Sequence, residues 1–365
     1  MSFEFQLVLT EKCNLACKYC YMKKQQVDMS QATFDNHFKM LPDILSYYQQ
    51  HNYNAALFGG EPLLNWELIE YITPILNSDK KCASIIMMTN GLLLKDEYKR
   101  KFIEKNNISI SLSFDGLWNK ENRPLANGES SLDKYLKDPL YSYFKNKHGC
   151  KVMVSPDSVP TLVENFKWFV EDYGIINPDF TLVRDDIWDN ESIDMFETEV
   201  HKLADVVIEY FKNGTPAIAG FFQLYILDLL FGESFGKRPF GCFAGCHGAG
   251  FMPNGKVYPC ARFGSNDILP IYDSNTGMIN ENNIKLMNNS NITNPVNYEK
   301  CKKCTLFKYC NAGCTFSQLK NYMEPLDSIC KLFHICYSEA IRITNELKDN
   351  KLFRDIIVNS IKNVG

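Results

Sequence analysis

Short apolar runs alternate with longer amphipathic stretches through the first half of the sequence. The apolar runs predict six strands, at residues 5–9, 54–58, 84–89, 108–114, 151–155 and 179–183. Apolar positions at helical spacing predict helices between and after them, near 30–50, 65–76, 95–105, 132–145, 161–173 and 193–211. Because each strand is followed by a helix, the strands should pair in parallel with right-handed crossovers. Six such units are fewer than the eight that close a barrel, so the pattern predicts an α/β fold with an open, partial (β/α)6 TIM-like barrel.

The pattern changes after residue 211. An apolar helix predicted at 220–231 leads into a glycine-rich stretch and then a cysteine-rich region between Cys242 and Cys330. From Cys336 onward, apolar residues recur at helical spacing and predict an amphipathic helix. These changes divide the chain into a partial barrel at 1–215, a linker helix region at 216–240, a small cysteine-rich domain at 241–332 and a C-terminal helix at 333–365.

Composition and charge narrow the classes of function. The chain of 365 residues is 45% hydrophobic and 22% charged, as in a globular protein. Its formal net charge of -4 gives no electrostatic support for nucleic-acid binding. The sequence has neither a signal peptide nor an apolar stretch of membrane-spanning length, which favours a cytoplasmic protein without a membrane partner. In that reducing compartment, fourteen cysteines at short spacings are more typical of metal sites than of disulfides.

Three cysteines follow the first predicted strand, where the reacting groups of such a barrel gather. Cys13, Cys17 and Cys20 have the spacing C-x3-C-x2-C, which forms a tight loop whose thiolates can converge. A four-iron cluster usually takes four thiolates, so three would leave one iron open to a ligand. Tyr19 supplies a flat apolar face near that open position. A zinc site, or three incidental thiols, is the alternative interpretation.

Polar residues and glycines mark the ends of the next strands. The segment "GGEP", Gly59 to Pro62, follows the second strand. Its glycines let the backbone approach a ligand closely, and Pro62 suits the first turn of the next helix. Asn90 follows the third strand, and Ser113 and Asp115 follow the fourth. The same residue types are also common in ordinary turns.

The stretch "CNLACKYC", together with these strand ends, resembles the signature of radical S-adenosylmethionine (radical SAM) enzymes. The resemblance implies that the open iron binds the amino and carboxylate groups of S-adenosylmethionine, which a reduced cluster cleaves to a 5'-deoxyadenosyl radical. It also implies that the "GGEP" segment receives the methionine amino group, and that Arg123 pairs with the carboxylate through its fork of donors. The residues so assigned to cofactor binding are Tyr19, Gly59, Gly60, Glu61, Pro62, Asn90, Ser113, Asp115 and Arg123.

The cysteine-rich second half is similar to the auxiliary-cluster domain called SPASM. "CKKCTLFKYCNAGC" gives C-x2-C-x5-C-x3-C, and Gly255 lies five residues before Cys260. Cys242 alone satisfies the spacing before this glycine, and Cys246 is the additional candidate. The resemblance implies two auxiliary four-iron clusters, one held by Cys242, Cys246, Cys260 and Cys314 and the other by Cys301, Cys304, Cys310 and Cys330.

The expected cofactors are therefore three [4Fe-4S] clusters, one SAM-binding and two auxiliary, and S-adenosylmethionine. Two tetrahedral zinc sites are the alternative for the second half, because C-x2-C pairs also bind zinc. With all eight thiolates used, the auxiliary clusters should serve electron transfer or structure. Cys82, Cys150 and Cys336 fall outside both patterns and are expected to be buried.

Relatives with a SPASM domain act mostly on peptides or proteins. The branch that oxidises a Ser or Cys of sulfatases to formylglycine has an Asp directly after the cysteine of "PC", whereas this sequence has Ala261. Alanine cannot accept a proton, so we expect maturation of a ribosomally made peptide, most simply by an intramolecular thioether or carbon-carbon crosslink. Sulfatase-type oxidation is the alternative, and a non-catalytic metal or electron carrier is the third class.

The partners follow from this expectation. The chain begins almost directly at the first strand, so we expect no amino-terminal winged domain for a leader peptide. The precursor peptide would then bind the barrel mouth, the cysteine-rich domain, the terminal helix or a separate leader-recognition protein. Reduction of the first cluster requires an external low-potential electron donor such as a flavodoxin or a ferredoxin.

Overall fold

A computed structural model of the chain describes residues 2–146, 149–185, 187–231, 244–245, 247–289, 299–307, 310, 314–321 and 325–362. Its strands, in chain order, are β1 (Phe3–Thr10), β2 (Tyr53–Gly59), β3 (Cys82–Thr89), β4 (Ser109–Ser113), β5 (Cys150–Val154), β6 (Asp179–Leu182), β7 (Gly248–Phe251), β8 (Lys256–Tyr258), β9 (Tyr272–Asp273) and β10 (Met278–Ile279). The six predicted strands are confirmed as β1 to β6.

The helices follow the same order. They are α1 (Gln31–Tyr47), α2 (Trp66–Ser78), α3 (Glu97–Lys105), α4 (Asn119–Asn122), α5 (Leu132–Tyr135), α6 (Leu140–Phe144), α7 (Leu162–Glu171), α8 (Asn190–Lys212), α9 (Gly220–Phe231), α10 (Ala261–Ser265), α11 (Glu281–Asn289), α12 (Glu299–Lys302), α13 (Thr315–Lys320), α14 (Asp327–Leu347) and α15 (Lys351–Lys362). Short 3-10 helices occur at Pro62–Leu64, Leu92–Lys95, Gly116–Trp118 and Pro156–Thr161.

Two predicted helices differ from the structure. The stretch 132–145 forms the two short helices α5 and α6, because Pro139 lacks a backbone donor and disfavours helical geometry in the residue before it. The predicted terminal helix is also two helices, and α14 begins at Asp327, inside the cysteine-rich region. The second of these helices, α15, is capped at its start, because the Asn350 side chain accepts a hydrogen bond from the Phe353 amide at 2.9 Å.

The chain forms two compact units that do not follow its order. The first comprises Met1–Ser113, Asn119–Phe144 and Phe243–Ser290, and the second comprises Phe114–Trp118, Lys145–Cys242 and Asn291–Gly365. The domain boundaries expected from the sequence, at 1–215, 216–240, 241–332 and 333–365, remain a prediction.

The first unit is built on a mixed sheet. Its strand order is β10-β9-β8-β7-β1-β2-β3-β4, and the pairs from β7 through β4 are parallel, whereas β7 to β10 form antiparallel pairs. The parallel strands with helices between them confirm the predicted α/β class. Strands β7 to β10 were not predicted, because runs of two to four residues are too short to show a period of two.

In the second unit, β5 and β6 pair in parallel and α14 packs on α8 and α9. Cys150 and Cys336 are each 1% exposed in this unit, which confirms the expectation that they are buried. Cys82, in the first unit, is only half-buried, so that expectation was wrong for it. It begins β3, and its sulfur lies 3.5 Å from the Ser84 carbonyl oxygen.

His37 on α1 is buried and gives the first unit a pH-dependent stability. Its Nε2 lies 2.9 Å from the Met252 carbonyl oxygen, and its Nδ1 has no hydrogen-bond partner among the described residues. Burial lowers the pKa of His37 to about 4, because the imidazolium would place an unpaired N–H in the core. In the unfolded chain this pKa is near 6.5.

We therefore expect the unfolded state to bind one more proton than the folded state between these two pKa values. As the pH falls from about 6.5 to about 4, the free energy of unfolding should decrease by about 3 kcal/mol. Urea denaturation of wild type and His37→Gln across this range measures the difference, since glutamine keeps the donor and does not titrate. A difference that does not change with pH would contradict the assignment.

Among the residues that the structure describes, no helix is both long enough and apolar enough to cross a membrane.

Candidate functional site

The three-cysteine loop leaves the carboxyl end of β1 and is held on both sides. Cys13 and Cys17 are half-buried and Cys20 is exposed. The amide of Leu15 lies 3.4 Å from the Cys13 sulfur, and the Lys24 ammonium donates to the Leu15 carbonyl oxygen. Burial raises the pKa of Cys13 to about 11. Metal coordination would have to deprotonate this thiol.

A distant segment of the chain pairs with the loop. The amide of Ala16 donates to the Pro124 carbonyl oxygen at 2.7 Å, and the amide of Lys18 donates to that of Asn122 at 3.0 Å. A β-bridge joins Leu15 to the same segment. These backbone hydrogen bonds fix the loop conformation. No sequence pattern predicts them.

The same pairing brings Arg123 to Tyr19. The guanidinium carbon lies 5.3 Å from the centroid of the Tyr19 ring, a cation-π contact. Arg123 is 6% exposed and Tyr19 is half-buried. The structure thus places the predicted carboxylate-binding arginine beside the cysteine loop, as the assignment requires.

Gly59 and Gly60 pack against the chain that enters the cysteine loop. A Cβ on Gly59 would lie 2.4 Å from the Thr10 carbonyl oxygen, and one on Gly60 would lie 2.2 Å from that of Lys12. The amide of Gly60 donates to Thr10 at 2.9 Å, and that of Glu61 donates to Lys12 at 2.8 Å. The predicted close approach is therefore to the protein's own backbone. It sets the distance between the "GGEP" segment and the loop.

Glu61 is fully buried and its carboxylate is used within the protein. One oxygen accepts from the Leu63 amide at 3.1 Å and the Thr89 hydroxyl at 2.6 Å, and the other accepts from the Asn90 amide at 2.8 Å. Burial raises the pKa of Glu61 to about 7, although these hydrogen bonds lower it. Pro62 begins the 3-10 helix that this carboxylate caps, as the sequence predicts. The carboxylate ties the end of β3 to the "GGEP" segment.

Replacing Glu61 by alanine should therefore disorganise this end of the sheet. Three buried donors would lose their acceptor, and each such loss costs about 1–3 kcal/mol. We expect Glu61→Ala to lower the free energy of unfolding by about 3 kcal/mol or more and to weaken S-adenosylmethionine binding, as measured by urea denaturation and by equilibrium dialysis. Glu67→Ala, at an exposed carboxylate on α2, is the matched control, and equal effects of the two changes would refute the argument.

Asn90 extends the connection to the cysteine loop. Its side-chain amide donates to the Asn14 side-chain oxygen at 2.7 Å, and its own oxygen accepts from the Leu92 amide at 3.1 Å. The Tyr135 hydroxyl donates to the Asn90 carbonyl oxygen at 2.6 Å. The first unit thus assembles most of the predicted cofactor residues around one loop, namely Tyr19, Gly59, Gly60, Glu61, Pro62, Asn90 and Arg123.

The remaining two assignments are placed differently. Ser113 ends β4 in the first unit and is half-buried, whereas Asp115 belongs to the second unit and is fully buried. The Asp115 carboxylate accepts a hydrogen bond from the Met153 amide on β5 at 2.9 Å, and its carbonyl oxygen accepts from the Asn165 side chain at 2.9 Å. Asp115 therefore organises the segment beside β5, and its contact with a cofactor remains a prediction.

Four of the predicted auxiliary ligands line one cavity in the second unit. They are Cys301, Cys304, Cys310 and Cys330, and their neighbours in the cavity wall are apolar except for His334. Nε2 of His334 lies 3.2 Å from the Cys304 sulfur. Burial raises the pKa of Cys330 to about 11, with further raising by the nearby Cys301 and Cys304. The sequence pattern found the four cysteines but not the histidine.

The other predicted auxiliary set is only partly described. Cys242 and Cys246 lie outside the described residues. Cys260 precedes α10 in the first unit, and Cys314 precedes α13 in the second. This ligand set remains a prediction from the sequence.

Residues shortly after Cys260 contact the segment that follows the cysteine loop. A Cβ on Gly250 would lie 2.4 Å from the Ala261 nitrogen, so this glycine permits β7 to pass close to Cys260. The amide of Lys23 donates to the Ser265 hydroxyl at 2.7 Å, and Arg262 lies over the Tyr21 ring at 5.4 Å. The first unit thus contains both Cys260 and the cysteine loop.

The donor sets fit iron-sulfur clusters. Within the described residues, no group of three or more Cys, His, Asp or Glu side chains is arranged to hold a single metal ion. In a cluster each thiolate binds a different iron, so the sulfurs need not converge on one point. Three thiols on one loop and four around one apolar cavity are consistent with such ligation.

Comparison with known proteins agrees with this geometry. Residues 7–137 match the model of the Radical SAM superfamily. The radical SAM cyclopropyl synthase TigE of Paramaledivibacter caminithermalis is 24% identical, over 96% of this chain and 75% of that protein. The cysteine-type anaerobic sulfatase-maturating enzyme of Clostridium perfringens is 23% identical, over 92% and 96%. For several other relatives, this chain covers 62% of their length or less.

Solved structures show the same fold. Native anSMEcpe with bound AdoMet and Kp18Cys peptide has a TM-score of 0.74 at 21% identity, covering 96% of this chain and 100% of that one. Streptococcus suis SuiB bound to the precursor peptide SuiA has a TM-score of 0.55 at 16% identity, covering 89% and 74%.

The chain therefore carries a radical SAM domain and is a radical SAM enzyme. A cysteine-rich region follows this domain in the sequence. Membership implies a [4Fe-4S] cluster and S-adenosylmethionine as cofactors.

Proposed function

We propose that this enzyme matures a ribosomally made peptide by forming an intramolecular thioether or carbon-carbon crosslink. Two kinds of similarity support a peptide substrate: SuiB and anSMEcpe each have structures with a bound peptide. The match to a cyclopropyl synthase along nearly the whole of this chain supports bond formation between carbons.

The observation that carries the choice of reaction is the residue after Cys260. Ala261 is 2% exposed, its methyl group has no proton-accepting atom, and its amide donates to the Gln6 side-chain oxygen at 3.1 Å. An oxidation that depends on a carboxylate at this position has no base here. A crosslinking reaction can release its proton to another group.

The residues of the first unit have distinct tasks in this proposal. Cys13, Cys17 and Cys20 would hold the first cluster, and the loop around them would hold S-adenosylmethionine. When bound, this pair supplies the 5'-deoxyadenosyl radical. Arg123, stacked on Tyr19, would pair with the methionine carboxylate, while Glu61 keeps the "GGEP" backbone in place to receive the amino group.

A crosslink removes two hydrogens from the peptide. One leaves as a hydrogen atom and ends in 5'-deoxyadenosine, and the other leaves as a proton and an electron when the new bond closes. The second unit would hold one auxiliary cluster through Cys301, Cys304, Cys310 and Cys330, and Cys242, Cys246, Cys260 and Cys314 would hold another. When bound, these clusters can accept the surplus electron.

Turnover would require further protein partners. A low-potential flavodoxin or ferredoxin would reduce the first cluster, and a separate protein could present the leader of the precursor peptide. Both needs favour a cytoplasmic location, in line with the fourteen cysteines of the sequence.

Formylglycine formation is the second candidate. The sulfatase-maturating relative matches over 96% of its own length, which favours a similar architecture. In that case a residue other than Ala261 would have to accept the substrate proton.

Mass spectrometry of the peptide encoded next to this gene, co-expressed with the enzyme, separates the two. A crosslinked product has lost two hydrogens, and its fragments between the joined residues are missing. A formylglycine product carries an aldehyde, which a hydrazine reagent labels. Labelled product, or an unmodified peptide beside a converted sulfatase, would overturn the proposal.

A further inference from the structure

The cavity of the second unit contains one polar side chain that the cysteine pattern does not assign. Among the described residues that line it, His334 is the one non-cysteine side chain with a polar atom; the others include Leu306, Phe307 and Phe333. Leu306 is 1% exposed, so at least this part of the lining is apolar and buried. In such surroundings a single N–H donor has a large effect on nearby charge.

The contact of this histidine is with a sulfur. Nε2 of His334 lies 3.2 Å from Sγ of Cys304, well within the range of a hydrogen bond to sulfur. With Nε2 protonated, the imidazole donates to Cys304. The sulfur in turn is one of four thiols around the cavity, enough for one thiolate on each iron of a cluster.

The histidine is held in this position by its helix. His334 follows Cys330 by four residues on α14, so both side chains project from the same face. The opposite side of α14 is anchored in the core, where Leu332 and Ile343 are fully buried. Cys330 and His334 therefore enter the cavity from one rigid element.

We propose that His334 donates a hydrogen bond to the sulfur of Cys304 and thereby raises the reduction potential of the cluster in this cavity. Reduction adds an electron to the cluster and its thiolates. A hydrogen bond to a ligand sulfur stabilises that added charge, and such bonds are one of the factors that set cluster potentials. His334 acts as a positioning residue, and it makes the cluster a better acceptor for the electron released by the substrate. The inference rests on the proposed auxiliary cluster.

The test measures the potential of the auxiliary cluster directly. The full-length chain with Cys13, Cys17 and Cys20 changed to alanine removes the signal of the first cluster. In this background, His334→Leu removes the donor and His334→Gln keeps an N–H donor. EPR-monitored redox titration and iron analysis are carried out on each protein after anaerobic reconstitution.

We expect His334→Leu to shift one midpoint to a more negative value by a threefold to tenfold change in the reduction equilibrium constant, where tenfold is 59 mV for one electron. His334→Gln should lie nearer the wild-type value. His201→Gln is the matched control, because His201 pairs with Glu339 of the same helix and does not line the cavity. It should cause no shift.

Two results would overturn the inference while the parent background still binds its auxiliary iron. An unchanged midpoint in His334→Leu with full iron content would exclude the hydrogen bond as a determinant. Loss of about four irons in both His334 variants would make the histidine a ligand, since one cluster holds four. If the parent background itself binds no iron, the auxiliary cluster fails and the inference with it, and iron analysis separates that case from the other two.

Discussion

Cys17→Ala should abolish formation of 5'-deoxyadenosine. The three thiols of the loop leave no spare ligand, so removal of one leaves two irons of the cluster without a protein thiolate. Anaerobic reconstitution, reduction with dithionite and chromatographic detection of 5'-deoxyadenosine measure the effect. We expect a loss of at least a thousandfold, down to the background of the assay, because the remaining residues cannot cleave a sulfonium.

The matched control for this change is Cys82→Ala. Cys82 is a half-buried cysteine of the same unit, and it belongs to neither ligand pattern. It should retain 5'-deoxyadenosine formation. Turnover that survives in Cys17→Ala would remove the assignment of the first site, and loss in both variants would indicate a folding defect.

Cys304→Ala should separate radical formation from product formation. Cys304 lines the cavity of the second unit together with three other cysteines, and His334 contacts its sulfur. Without this thiolate the auxiliary cluster would be lost or incomplete, and the surplus electron would have no acceptor. We expect finished crosslinked peptide to fall at least a hundredfold, while uncoupled 5'-deoxyadenosine formation is largely retained, because the first cluster has its own ligands.

Quantifying both products from the same reaction tests this expectation. Cys336→Ala is the control, since Cys336 lies on the same helix as Cys330 and is 1% exposed outside the cavity. It should cost only modest stability. An equal loss of both products in Cys304→Ala would assign the auxiliary cluster a structural role.

The proposed hydrogen bond of His334 allows a finer test of the auxiliary cluster than the loss of a ligand. Cys304→Ala removes a ligand, whereas His334→Leu leaves all four cysteines and changes only what surrounds them. The amount of crosslinked peptide can be compared with the midpoint potential of the auxiliary cluster in wild type, His334→Gln and His334→Leu. If the two change together, the electron-accepting step depends on the cavity environment.

The sequence alone determined the parts of this protein whose cause is local. Six strands were predicted because apolar runs have a period that can be read within a few residues. The three cysteines were found because their spacing follows from the geometry of a short loop. Cys301, Cys304 and Cys310 were recognised for the same reason, and all three line one cavity.

Only the tertiary structure decided how these parts are used. No sequence pattern predicts that the Glu61 carboxylate accepts a hydrogen bond at the end of β3. Nor does any pattern predict that Asn122 and Pro124 hold the cysteine loop through backbone hydrogen bonds. The two glycines of "GGEP" were expected to make room for a ligand, yet they face the backbone of residues 10–12. Each of these contacts joins residues that are far apart in the chain, and periodicity and spacing carry no information about such pairs. His334 illustrates the same point, because its distance to the Cys304 sulfur depends on how α14 packs, which a single sequence does not encode in any local pattern.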